Sequence, residues 1–176
     1  AYAQMAPLLR ENIYVYLTGA IQQAGKGTQW FKEKKTEDPK INQVLGTLYY
    51  QLGDTVNART YYNKYFEKFP DGQGDITVQR EYVIILFMAK DYTGALKQVG
   101  KFMQTNPNDP VLHRIAFLGN YELQSAFEKD DENQMKANFD ELKAPYEANT
   151  KAAYEKFFGQ YPDSVYQEID YRYQAL

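Results

Sequence analysis

The sequence predicts an all-α chain built from short antiparallel helix pairs stacked side by side. Residues 42–70, NQVLGTLYYQLGDTVNARTYYNKYFEKFP, read as two amphipathic helices separated by a tight break at Gly53-Asp54. The layout then recurs. Gly46 and Ala58 are small residues placed where the two helices would touch, and Pro70 stops the unit; Ala95 and Pro107 repeat the arrangement, the second Pro 37 residues after the first. Nothing downstream supplies the alternating strands that a mixed fold requires.

The elements follow in order. Residues 2–9 read as the tail of a helix, and Asn12 as the N-cap of the next. Tyr14, Leu17, Thr18 and Ile21 repeat the spacing of Asn42, Leu45, Gly46 and Tyr49, with Gly25 at the turn and a short second helix over residues 28–36. The next pair spans residues 40–52 and 55–69. Residues 76–107 repeat it, with Tyr82, Val83, Leu86 and Phe87 making a helix greasy enough to sit between neighbours. Asp109 or Pro110 starts a helix whose buried stripe is Leu112, Ile115, Ala116 and Gly119. The period then breaks. Residues 128–132 are a charged turn, residues 133–142 an extra helical segment, and Ala144-Pro145 a second interruption. YEKFFGQYPD at residues 154–163 echoes YNKYFEKFPD at residues 62–71 and reads as a delayed second helix. Residues 164–176 read as the first helix of a truncated repeat, an apolar face that points to self-association or to a longer protein of which this chain is a piece.

Leu45-Gly46, Tyr49, Ala58, Tyr62 and Pro70 fall at the spacings W-x-x-L-G-x-x-Y…A-x-x-x-F…P, with Asn42 in place of Trp and Tyr62 in place of Phe. The chain resembles the tetratricopeptide repeat family, whose unit is a helix–turn–helix of about 34 residues. The resemblance implies a right-handed superhelical array, an α-solenoid, with repeats near 12–38, 40–72, 76–108, 109–162 (carrying an inserted helix) and a partial one at 164–176. It also implies a non-catalytic scaffold that binds another protein or an extended peptide, because stacked hairpins shield one another and present a preformed groove. The first helix of each pair lines that groove. By spacing its residues are Gln43, Thr47, Tyr50 and Gln51, then Arg80, Ile84 and Phe87, then His113, Phe117 and Tyr121. Of the basic residues that carboxylate-clamp members use, only Arg80 is placed. The Tyr- and Lys-rich style is similar to tetratricopeptide proteins of bacterial cell envelopes, so a periplasmic setting is favoured over the cytoplasm. The absence of an initiator Met suggests that any targeting segment has been removed.

Composition narrows the function classes. Net charge is −3, from 20 basic and 23 acidic residues mixed along the chain, and the one basic cluster (Lys32, Lys34, Lys35, Lys40) is interrupted by acids, which disfavours nucleic acid. No run approaches the roughly 18 apolar residues of a membrane span. Zero cysteines exclude disulfides and thiolate metal sites, a single histidine cannot build a multi-histidine zinc site, and residues 130–141 lack the Gly and alternation of a calcium loop. No cofactor, metal or catalytic residue is therefore expected. His113 is expected to be exposed on its helix when it does not line the groove.

Two other function classes have a sequence basis. AGKGTQ at residues 24–29 resembles the phosphate loop of adenylate kinases, with Gly25, Lys26 and Gly27 cradling a nucleotide, although Ala20 stands where the general pattern wants Gly. Alternatively 17 tyrosines offer a platform for a carbohydrate or similar solute, provided that Tyr49, Tyr50, Tyr61, Tyr62 and Tyr65 share one exposed face.

Overall fold

The first two helical hairpins are held at their turns by the same two devices. In the first pair, α1 (Pro39–Leu52) and α2 (Thr55–Glu67) are joined by Gly53 and Asp54. Gly53 takes a left-handed backbone, φ 82°. Its N–H reaches the Tyr50 carbonyl at 3.0 Å and that of Asp54 reaches Tyr49 at 2.9 Å, so the last carbonyls of α1 are satisfied in a Schellman arrangement. Asp54 then caps α2, accepting the Asn57 N–H at 3.0 Å. In the second pair, α3 (Ile76–Met88) and α4 (Tyr92–Thr105) meet at Lys90 and Asp91 with the same bonds: Lys90 to Phe87 and Asp91 to Leu86, both 2.9 Å. Asp91 accepts the Gly94 N–H at 2.9 Å. Asp109 caps α5 (Pro110–Glu128), with Pro110 at its first position, and Asp130 caps the single-turn α6 (Asp131–Gln134). The long α7 (Phe139–Gln160) follows.

A computed structural model describes residues 15, 16, 18–27, 29, 39–69 and 74–161. The expected helix tail at 2–9, the Asn12 cap, most of the helix at 28–36, the stop at Pro70 and the helix at 164–176 lie outside the described residues. What is described is all-α, with no strand among the described residues. The helices pack as adjacent pairs: α1 along α2, α4 along α5, α5 along α7, with α6 against α5. The chain divides into two compact units, Ala1–Ile85 and Leu86–Leu176.

In the first unit Gly46 and Ala58 are both buried, as close packing requires. A Cβ added at Gly46 would lie 2.3 Å from the Tyr62 ring, so glycine is what lets that ring lie flat on α1. Tyr62 is fully buried and packs edge-on to Tyr82 of α3 at 6.1 Å, while Tyr65 meets Phe66 and Phe69. Val78, Tyr82, Val83 and Ile85 bury the rest of α3 in this unit. The core of the second unit gathers Phe117, Leu118 and Phe157, with Phe87, Tyr154 and Tyr161 packed around them.

Two expectations are corrected here. The extra helix at 133–142 is instead the end of the four-residue α6, a turn over residues 135–138 and the start of α7, and Ala144-Pro145 does not interrupt: α7 runs through Pro145. The missing N–H of a proline costs a helix one bond, about 3 kcal/mol in an interior position. The apolar contacts of α7 outweigh it. Phe157 and Thr150 are buried in this helix, and Tyr146 stacks on Phe127 of α5 at 4.9 Å.

Candidate functional site

The α1 residues expected to face a groove look toward α3. Gln43 donates its amide to Asp75, just before α3, at 3.3 Å. Thr47 donates to Glu81 Oε2 at 3.1 Å and lies 3.0 Å from the Tyr62 hydroxyl. Tyr62 donates to the same Glu81 oxygen. Burial first, and then this bond to a carboxylate, hold the Tyr62 phenol far above its ordinary range, so it is a permanent donor. Tyr50 is half-buried beside this cluster; burial, then the charge of Glu81, raise its phenol too. Gln51 is exposed, and Arg80 and Ile84 are half-buried on α3. Arg80 has interactions of its own within the chain. Five of the expected residues therefore keep accessible surface in this unit around a polar seam, and Thr47 contributes to the seam itself.

The other expected residues lie in the second unit. Phe117 and His113 are 0% and 1% exposed. The His113 ring donates from Nε2 to the Pro107 carbonyl at 2.7 Å and sits 5.9 Å from the Tyr161 ring. Phe117 meets Tyr121 at 6.1 Å and Tyr154 at 6.0 Å, and half-buried Phe87 packs on the same cluster. The expectation of an exposed His113 is thus overturned. The delayed helix α7 lies against the face of α5 that carries His113 and Phe117, and a helix with so many aromatic residues displaces water from whatever it covers.

The sequence reading missed Glu81. Its signal was a carboxylate next to the apolar run YVIIL, a position that needs donors when it is half-buried. Both rival function classes lose their geometry. Residues 18–27 are helical, so Gly25, Lys26 and Gly27 form no strand-to-helix phosphate loop. Tyr62 and Tyr65 are buried, and Tyr49 and Tyr61 stack on each other at 5.5 Å and 5°, so the five tyrosines do not share an open platform. Among the described residues no helix is long and apolar enough to cross a membrane.

Residues 45–72 match the model of the tetratricopeptide repeat family. That segment takes in most of the α1–α2 hairpin, which is thus similar to a tetratricopeptide repeat. Its Leu45, Gly46, Ala58 and Tyr62 are the buried contacts between the two helices of that repeat. The chain shares its fold with a crystal structure from Bacteroides ovatus ATCC 8483, provisionally described as a protein-binding protein. The TM-score is 0.51 at 13% identity, covering 94% of this chain and 96% of that one. Comparison with curated proteins finds no match. The repeat places its small residues between helices and leaves Gln43, Tyr50 and Gln51 on the side toward α3 and solvent.

Proposed function

We propose that the chain is a non-catalytic scaffold that binds another protein or an extended peptide along the α1–α3 face of its first unit. The carrying observation is that a hairpin similar to the tetratricopeptide repeat, fixed by capped turns and a buried tyrosine, keeps Tyr50 and Gln51 accessible, with half-buried Arg80 and Ile84 on α3. Helices locked in this way lose little conformational freedom when a partner lands on them, so apolar anchors such as Tyr50 and Ile84 contribute most of their contact energy to binding. The description of the Bacteroides ovatus protein points in the same direction. The faces of α5 and α7 that meet each other supply no surface to this reading, which confines the groove to Gln43, Thr47, Tyr50, Gln51, Arg80 and Ile84.

Affinity capture with the full chain, followed by isothermal titration of the captured partner, tests the assignment. Tyr50→Ala and Ile84→Ala are each expected to weaken binding by about tenfold or more while far-UV circular dichroism stays unchanged. Undiminished affinity in both folded variants would refute this face.

A further inference from the structure

We propose that the α1–α3 face selects a cation: a lysine or arginine side chain of the bound polypeptide, seated on the open oxygen of Glu81. This rests on the scaffold reading above and supplies its chemistry. The hydroxyls of Thr47 and Tyr62 both converge on Glu81 Oε2, and together they carry two protons for the three close contacts among these oxygens. Two donors from two different helices hold Oε2. They leave Oε1 with no donor among the described residues, and Glu81 makes no ion pair there.

Half-burial matters for the sign. A carboxylate partly withdrawn from water is screened less than a surface one, so a positive group gains more by approaching it and a negative one is repelled more. A neutral anchor would cover the charge without compensating it, which costs several times the gain of the contact. The surroundings agree. Tyr50 is half-buried on α1, the helix that also carries Thr47. Asp75 adds a second carboxylate along the same seam, held by Gln43. Arg80 is the nearest basic residue in sequence, but successive helix positions diverge by about 100°, and Arg80 has an interaction of its own within the chain. The preference is the reverse of a carboxylate clamp.

The test uses a random dodecapeptide display library selected on the full chain, then fluorescence polarisation with the enriched peptides. Enriched sequences are expected to share a Lys or Arg. Acetylating that lysine, or replacing that arginine by citrulline, weakens binding by about tenfold or more with the protein untouched. Glu81→Gln matches that loss, whereas Tyr62→Phe, which removes one donor and keeps the charge, stays within about threefold. Raising salt from about 50 to 500 mM weakens the wild type and leaves Glu81→Gln nearly unaffected. Enriched peptides that lack a cation, or that ignore both acetylation and Glu81→Gln, overturn the cation anchor and leave the scaffold standing. A selection that enriches no peptide overturns both.

Discussion

Lys90 sits in a left-handed backbone, φ 59°, at the position where the first repeat uses Gly53. A side chain with a Cβ crowds the following carbonyl there, and the cost is about 1 kcal/mol. The Schellman bonds and the Asp91 cap hold it in place regardless. Lys90→Gly is therefore expected to stabilise the protein by up to about 1 kcal/mol, or roughly 2–4 °C in Tm by calorimetry; a lower Tm would contradict the strain. Asp54 gives a pH-dependent counterpart. The Asn57 side-chain amide, then its backbone N–H, lower the Asp54 carboxyl below the usual carboxylate range. A depressed folded value means that the stabilisation is complete above the unfolded pKa of about 3.9 and is lost as pH falls through the folded one. Asp54→Asn keeps a good cap and does not titrate. Melts between about pH 6 and 3 should show the two proteins diverging only at the acid end, with the wild type losing ground. At this scale Gly46, Ala58 and the break at Gly53-Asp54 could be read from spacing alone, because their roles are local to one hairpin. Glu81 could not: its donors Thr47 and Tyr62 come from two other helices and meet it only once α3 has docked.

Among the elements, α1 to α5 fall within a few residues of their expected limits, since each opens on a cap or proline and closes on a turn signal of its own. The failures gather after Glu128. A proline normally marks a helix boundary, yet Pro145 lies seven residues into α7 and is exposed. The side chains that override it, Tyr146, Tyr154 and Phe157, act through α5, a helix that has already ended at Glu128, so no local window contains the reason. The same contact explains why His113 and Phe117 were misplaced: spacing shows which side chains share a helix face, and the partner helix decides whether that face is wet. If Pro145 is tolerated rather than needed, Pro145→Ala restores an N–H and a helical bond. Its expected effect is a gain of about 1–3 kcal/mol in chemical denaturation, below the full helix penalty because the unfolded chain regains freedom. A loss of stability would mean that the proline shapes the α5–α7 contact.

For the whole molecule the decisive property is how far a local injury spreads. Hairpins that contact only their neighbours behave as a one-dimensional array, in which stability is a sum of repeat and interface contributions. The two compact units divide inside α3, so residues 76–85 contribute to one core and residues 86–88 belong to the other. Phe157 is fully buried in the second core. Phe157→Ala leaves a cavity and removes transfer energy, together about 3–5 kcal/mol, a large share of what a small domain possesses. Native-state hydrogen exchange should then show protection collapsing first in α5 and α7 and persisting in α1 and α2, where Gly46 and Tyr62 are untouched. Such a gradient also matters for binding, because the face around Tyr50 would survive damage to the second unit and the Phe157→Ala protein would still engage a partner. Equal loss of protection in both units would instead make the chain one cooperative block, and peptide affinity would fall in step with its stability.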